Sequence, residues 1–263
     1  MTISISNTFK KLKNQCAFIP FITAGDPNLE ITELALKILD NEQADIIEIG
    51  IPYSDSLADG PIIQAAAERA LRNGITINQI LELIEKIIPQ ISAPIIIFSY
   101  YNIILNYGIK KFIVKLRIIG IKGLVIPDLP IEESKQIVEL CDKNMIELVL
   151  LIAPTSSVNR IKKIVVNARG CLYLVSTAGV TGIKKELRSD LKNILDKIHQ
   201  ISKKPIIIGF GISNPEQAKQ VKLIGSNGIV IGSTLVDLLS RSTNNKNLDT
   251  FQEFCKSIKE AIN

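Results

Sequence analysis

The 263-residue sequence predicts an α/β fold, a single-domain (β/α)8 barrel (TIM barrel) over residues 1–263 with extra helices. Three observations predict it: eight short apolar runs rich in β-branched residues, helical periodicity between them, and no low-complexity linker. Continuously apolar strands are buried on both faces, which is typical of a parallel sheet covered by helices. Eight strand–helix units favour a closed barrel over the alternative, a doubly wound open sheet.

The predicted elements follow from the composition and period of each segment. The strands are five to eight residues long and dominated by Ile, Val and Leu: AFIPFIT (17–23), DIIEI (45–49), PIIIFS (94–99), GLVIP (123–127), IELVLLIA (146–153), CLYLVS (171–176), PIIIGF (205–210) and GIVIG (228–232). Apolar residues recur at helical spacing in LEITELALKILDN (29–41), EESKQIVELCDKN (132–144) and NPEQAKQVKLIG (214–225). The stretch 62–90 is long enough for two helices, and 250–262 predicts a terminal helix.

Composition excludes several classes of function. The net charge is +5 with scattered lysines, aromatic residues make up 5% and Trp is absent, so we expect no nucleic-acid surface. No apolar run approaches the roughly 18–20 residues of a membrane-spanning helix, and residues 1–15 lack a signal-peptide core. Cys16, Cys141, Cys171 and Cys255 have no paired spacing, which indicates free thiols in a reducing compartment.

Three carboxylates lie at and just beyond the end of predicted strand two. Glu48 interrupts an apolar run, and Asp55 and Asp59 follow in a loop rich in Gly, Pro and Ser. Barrel enzymes place their chemistry at the carboxyl ends of the strands. Burial penalises a charged carboxylate, so we expect the pKa of Glu48 to rise toward a value useful for proton transfer. The structural alternative is a Glu that is paired with Arg or Lys inside the barrel.

Glycines after strands seven and eight indicate a phosphate site. Gly209 and Gly211 allow backbone N–H groups to approach a ligand, and Ser213-Asn-Pro caps the next helix. Gly232 and Ser233 open another helix, and two adjacent helix N-termini favour an anion. The alternative is that these glycines only form tight turns. The third glycine of a dinucleotide fingerprint is missing, which disfavours NAD.

The chain lacks the residues of several other chemistries. The only histidine, His199, is expected on the surface of the helix before strand seven, so a Ser-His-Asp triad or a zinc site is disfavoured. Strand interiors carry no lysine for a Schiff base. A magnesium ion held by carboxylates is an alternative, but the candidates lack a recognised metal spacing and no metal is expected: Asp45, Glu48, Asp55, Asp59 and Asp128. The kind of chemistry that these absences leave is acid–base catalysis by carboxylates on a phosphorylated substrate.

Five motifs resemble the tryptophan synthase alpha chain, in that family's order and over essentially the whole chain. They are FIPFITAGDP (18–27), IEIGIPYSDSLADGPIIQ (47–64), IPDLPIEES (126–134), STAGVTG (176–182) and GFGIS (209–213). The resemblance implies a lyase that cleaves indole-3-glycerol phosphate to indole and glyceraldehyde 3-phosphate without a cofactor in this chain. It implies that Glu48 shuttles protons, and that Asp59 accepts a hydrogen bond from the indole N–H.

The resemblance also implies ligand and partner contacts. Positions for phosphate are Gly182, Gly211, Gly232 and Ser233. Positions that line the pocket or brace its loop are Phe21, Tyr173, Thr181 and Phe210. Residues 177–190 correspond to a lid. An α2β2 complex with a pyridoxal-phosphate β chain is implied, in a bacterial cytoplasm or a plastid stroma, with a docking face near Asp55, Asn102, Asp128 and Pro130.

Two departures from the family pattern concern loops. Ser56 stands where the family usually has proline, and Thr177 where some members have arginine. Another phosphate-binding barrel is an alternative: a phosphoribosyl isomerase, or an indole-glycerol-phosphate synthase, which would need a strand-end lysine. A catalytically inactive paralogue that binds and regulates a β-like partner is the other alternative. Retention of both Glu48 and Asp59 argues against it.

Overall fold

The protein is described by a computed structural model, which covers residues 3–13, 15–175, 185–209, 211–242 and 248–263. The strands are β1 (Ala17–Thr23), β2 (Ile47–Gly50), β3 (Ile95–Phe98), β4 (Gly123–Val125), β5 (Glu147–Ile152), β6 (Leu172–Val175), β7 (Ile206–Gly209) and β8 (Gly228–Ile231). The helices are α1 (Ile5–Leu12), α2 (Leu29–Asn41), α3 (Pro61–Arg72), α4 (Ile77–Ile87), α5 (Tyr101–Tyr107), α6 (Ile109–Ile119), α7 (Lys135–Lys143), α8 (Val158–Asn167), α9 (Lys185–Ile201), α10 (Pro215–Leu223), α11 (Ser233–Ser240) and α12 (Asp249–Ile262).

The eight strands form a closed parallel barrel in chain order, with β1 paired to β8. The predicted (β/α)8 architecture with extra helices is therefore confirmed, and the open sheet is wrong. In the register of the paired strands, Phe21 of β1 lies beside Glu48 of β2, and Glu48 lies beside Ile96 of β3. We propose that residues 1–263 form one domain, and closure of the barrel supports this assignment.

The core has two layers because successive side chains of a strand point to opposite faces. Ile47 and Ile49 belong to the outer layer between strands and helices. Phe21 and Ile96 belong to the inner layer within the barrel. The sequence neighbours of Glu48 therefore pack outward, and its spatial neighbours come from the strands on either side.

Helix α1, which was not predicted, lies across the amino-terminal end of the barrel. Its Ile5 and Phe9 are buried in the inner layer. A side chain at Gly170 would approach Ile5 at 3.1 Å, so the glycine leaves room for this plug. Glu147 accepts hydrogen bonds from the backbone N–H and hydroxyl of Ser6 and so holds the start of α1. This end of the barrel is closed, which leaves the opposite end open for a ligand.

The stretch 62–90 holds two helices as predicted, α3 and α4. Pro61 occupies the first turn of α3, where its missing N–H costs nothing. Thr76 and Gln79 form a capping box at the start of α4. A short 3-10 turn, Ile88–Gln90, follows α4. Since α3 starts directly after Gly60, its position fixes where the Asp59 loop must end.

Several features bear on the function classes considered above. All four cysteines are buried free thiols, as predicted. His199 is half-buried on α9, away from the strand ends. Among the helices in the described ranges, none combines the length and apolar character needed to cross a membrane. The described residues also contain no group of three or more His, Cys, Asp or Glu side chains arranged to hold a metal.

Candidate active site

Glu48 lies inside the barrel near the carboxyl end of β2. The strand continues two residues beyond it to Gly50, so the predicted end of strand two at residue 49 was one residue short. Its side chain is only 1% exposed. Neither carboxylate oxygen has a hydrogen-bond partner among the residues that the structure describes. The interpretation of Glu48 as a structural residue paired with Arg or Lys therefore finds no support in the described contacts.

Burial raises the pKa of Glu48 to about 8, and the nearby charge of Asp59 adds to the rise. The expected rise is confirmed. At pH 7 Glu48 is mostly protonated and is therefore a proton donor. Because deprotonation begins close to neutral pH, the same group accepts a proton at little cost once it has given one away.

Asp59 is half-buried on the loop between β2 and α3. Burial raises its pKa to about 6, against the opposing effect of a hydrogen bond from Tyr100. The hydroxyl of Tyr100 donates to Oδ2 of Asp59 at 2.9 Å. Asp59 is mostly ionised at pH 7 while Glu48 is mostly neutral, so the two carboxyls are set for different tasks. Tyr100 was not predicted as a site residue, although it lies only two residues beyond the carboxyl end of β3.

Asp59 lines a cavity of about 320 Å3 at the open end of the barrel, and so does Phe21, the strand neighbour of Glu48. This volume lies at the lower end of the range for small-molecule sites. The predicted residues that line it are Phe21, Asp59, Tyr173, Gly211, Gly232 and Ser233. Lining residues that were not predicted include Ile63, Phe98, Pro127, Leu151, Val175 and Val230. Most of these are ordinary apolar strand residues, which the sequence alone does not distinguish from the core.

One end of the cavity offers backbone donors for an anion. Gly232 precedes α11, whose first turn has no side-chain cap, so the N–H groups near Ser233 are left for a ligand. Helix α10 differs, because Asn214 caps it by accepting from the N–H of Gln217. The residue that caps this helix is therefore Asn214, and Ser213 donates its N–H to the Gln217 side chain instead. The described structure thus places at the cavity one helix N-terminus without a side-chain cap, that of α11.

Aromatic rings form the walls of the cavity, and glycines on adjacent strands make room for them. A side chain at Gly50 would lie 2.5 Å from the Phe21 ring. One at Gly209 would collide with the hydroxyl of Tyr173, which lies within β6. The pocket is therefore shaped for a flat apolar group beside a polar end.

Some predicted residues lie outside the described part of the chain. These are Thr181 and Gly182, predicted to contact the Asp59 loop and phosphate, Phe210, predicted to line the pocket, and Thr177 in the predicted lid. Their roles stay predictions.

The predicted docking residues follow three consecutive strands, β2, β3 and β4, at the open end of the barrel. Asp55 is exposed in the loop after β2, and exposed Asn102 in α5 donates to the hydroxyl of Tyr53 at 3.1 Å. Asp128, in the loop after β4, accepts the backbone N–H of Tyr101 at 2.8 Å. Half-buried Pro130 follows it. These residues form one rim beside the cavity.

Ser56 is buried at the base of the Asp59 loop, 3% exposed. Its carbonyl accepts the N–H of Asp59 at 3.0 Å and the side-chain amide of Gln64 at 3.2 Å. Its hydroxyl has no described partner. The loop is thus braced through the Ser56 backbone, which any residue at this position could supply.

Comparisons with known proteins agree with this site. The family model described as tryptophan synthase alpha chain matches residues 8–263. The tryptophan synthase alpha chain of Pyropia yezoensis is 53% identical over 259 residues, covering 98% of each chain. That of a Picosynechococcus species is 50% identical over 261 residues, covering 98% of this chain and 99% of its own length.

Solved structures of the same kind share the fold. A crystal structure of a tryptophan synthase alpha chain from Legionella pneumophila is 32% identical with a TM-score of 0.89, covering 98% of this chain and 96% of that one. A chain of Mycobacterium tuberculosis tryptophan synthase is 28% identical with a TM-score of 0.90, covering 100% and 99%. The chain therefore belongs to the tryptophan synthase alpha chain family, lyases that cleave indole-3-glycerol phosphate.

Proposed function

We propose that this chain cleaves indole-3-glycerol phosphate with Glu48 as the proton carrier and Asp59 as the charge stabiliser. The observation that carries the proposal is a pair of interacting carboxyls with different pKa values, about 8 for buried Glu48 and about 6 for Asp59, of which Asp59 lines an aromatic-walled cavity. A neutral acid next to an ionised carboxylate suits a reaction in which a ring accepts a proton and becomes positively charged.

The proposed reaction is a retro-aldol cleavage with a closed proton balance. Glu48 gives its proton to C3 of the indole ring, and Asp59 accepts a hydrogen bond from the ring N–H as positive charge develops there. The bond from C3 to the glycerol carbon then breaks, and its electron pair restores the aromatic ring. The hydroxyl of that carbon loses its proton to the Glu48 carboxylate and becomes the aldehyde of glyceraldehyde 3-phosphate. Glu48 ends the cycle protonated.

The two ends of the cavity suit the two ends of this substrate. Backbone N–H groups at the start of α11, near Gly232 and Ser233, suit the phosphate, since a helix N-terminus favours an anion. Gly211 lines the same region. Phe21 and Tyr173 suit the indole ring, because their faces and edges give stacking contacts. We expect Gly182, Thr181 and Phe210 to complete these contacts.

Family membership implies a β-chain partner. We propose that the rim formed by Asp55, Asn102, Asp128 and Pro130 docks the β chain in an α2β2 complex and that indole passes to it. Support comes from large apolar side chains exposed on the same rim: Leu57 in the Asp59 loop is 91% exposed and Leu105 in α5 is 52% exposed. Exposed apolar groups beside polar ones are typical of an interaction surface.

We also propose that the protein works in a plastid stroma or a bacterial cytoplasm. The support is the source of its relatives, a red alga and a cyanobacterium, together with four cysteines that are all free thiols.

Indole release from indole-3-glycerol phosphate by the purified chain tests the proposal. We expect slow release by the chain alone and faster release when a tryptophan synthase β chain is added. Asp59→Asn keeps the shape but removes the charge, and we expect at least about a hundredfold loss. Asp196→Asn on exposed α9 is the matched control, with unchanged release. No release under any condition would favour the inactive paralogue, and normal release by Asp59→Asn would remove Asp59 from the mechanism.

A further inference from the structure

Tyr100 connects the Asp59 loop to the barrel. It lies two residues after the end of β3, directly before α5, and is only 3% exposed. Its hydroxyl group makes hydrogen bonds to two adjacent residues of the loop. It donates to Oδ2 of Asp59 at 2.9 Å and accepts from the backbone N–H of Ala58 at 3.1 Å. One phenol group therefore fixes both the backbone and the carboxylate of the loop.

The ring of Tyr100 is held by its aromatic neighbours. Phe98 packs edge-on with ring centres 6.1 Å apart and an interplanar angle of 81°. Tyr53 packs from another side at 5.2 Å and 34°. Since Phe98 lies at the end of β3, the position of the hydroxyl is set by the rigid barrel, and the loop adapts to it. Asp59 would otherwise depend on a loop with exposed residues such as Asp55 and Leu57.

The hydrogen bond from Tyr100 also favours the ionised form of Asp59. Burial favours its neutral form, whereas the Tyr100 hydrogen bond favours the ionised form and lowers its pKa. Burial and the charge of Asp59 raise the pKa of Tyr100 well above its usual range, so the hydroxyl stays protonated and remains a donor. The second oxygen of Asp59, Oδ1, accepts no hydrogen bond from a described residue and is left for a ligand.

We propose that Tyr100 is a positioning residue, which orients Asp59 toward the cavity and keeps its carboxylate ionised while one oxygen remains available for the ring N–H of the substrate. This inference rests on the proposed function, because it matters for turnover only if Asp59 acts on the substrate.

Tyr100→Phe tests the inference, since it removes one oxygen and keeps the ring contacts. Losing the donor raises the pKa of Asp59, so the acid limb of kcat/KM for indole release should move to higher pH. We expect about a ten- to hundredfold loss at pH 7, with partial recovery as the pH rises. Tyr107→Phe, at the end of helix α5, which Tyr100 precedes, is the matched control and should leave the profile unchanged. A loss that is equal at every pH, with the acid limb unmoved, would mean a merely structural role and would overturn the proposal.

A measurement on the unsubstituted chain keeps the proposal testable even if the variant misfolds. The chain has five tyrosines, so the Tyr100 resonance can be resolved by labelling tyrosine with 13C at the ζ carbon. It should titrate with a midpoint near the pKa of Asp59, about 6, and the titration should vanish in Asp59→Asn. A Tyr100 resonance that does not respond to Asp59 would overturn the inference.

The outcomes separate this inference from the proposed function. If Asp59→Asn releases indole normally, the role of Asp59 fails. If Asp59→Asn is impaired but Tyr100→Phe keeps the acid limb in place, the role of Tyr100 alone fails.

Discussion

At the scale of single residues, Glu48 is a buried carboxyl whose ionisation opposes folding. Its pKa rises from 4.5 to about 8 in the folded chain because of burial. A carboxyl whose pKa is raised in the folded state makes its full contribution to stability at pH values below its unfolded-state pKa. This contribution is lost as the pH rises toward the folded-state pKa. The free energy of unfolding therefore decreases between about pH 4.5 and 8. The same raised pKa makes Glu48 a proton donor at neutral pH.

Glu48→Gln should therefore make the chain more stable at high pH. The amide has no charge to bury, so its free energy of unfolding should exceed that of the unsubstituted chain by on the order of 2–4 kcal/mol at pH 8.5. The difference should shrink toward zero as the pH falls to 5. Urea unfolding at several pH values measures this, with exposed Glu260→Gln as the control. An equal difference at every pH would show that ionisation of Glu48 is not the cause.

At the scale of elements, the turns at the closed end of the barrel show where the sequence departs from its local preferences. Met145, between α7 and β5, has a φ of +58° and is 71% exposed. Gln43, after α2, adopts the same left-handed conformation. Glycine usually occupies such positions because other residues meet steric strain there. Both turns keep this strained conformation because the length of the turn after each helix sets the register of the following strand.

Met145→Gly is expected to relieve this strain. We expect it to be about 1 kcal/mol more stable to urea unfolding than Met145→Ala, which keeps a Cβ at the same φ. The exposed methionine side chain contributes little burial, so its loss should not mask the effect. A glycine variant no more stable than the alanine variant would mean that the turn carries no strain.

At the scale of the whole molecule, the barrel could be predicted because its strands are continuously apolar and eight in number. Glu48 could be found for the same reason, as the charged exception within such a run. Helix α1 and its Ile5 plug could not be predicted, because only the closed barrel creates the opening that α1 covers. Tyr100 was missed because its importance depends on a contact 41 residues away along the chain.

The end of the cavity that is proposed to bind phosphate shows the same limit of prediction from sequence. Glycines near two helix starts predicted two anion-binding N-termini and a cap from Ser213-Asn-Pro, but only three-dimensional contacts show that Asn214 is the residue that caps α10 and that the first turn of α11 has no side-chain cap. Sequence patterns therefore predicted a site at the carboxyl ends of the strands, and packing decides which groups line the cavity there.

The most direct test of the central claim, that Glu48 carries the proton, is the pH dependence of indole release from indole-3-glycerol phosphate by the unsubstituted chain and by Glu48→Gln. The unsubstituted chain should lose kcat/KM above about pH 8, as the acid form of Glu48 disappears. Folded Glu48→Gln should be slower by at least about a hundredfold and should lack this alkaline limb. Normal turnover by Glu48→Gln, with the limb unchanged, would contradict the claim.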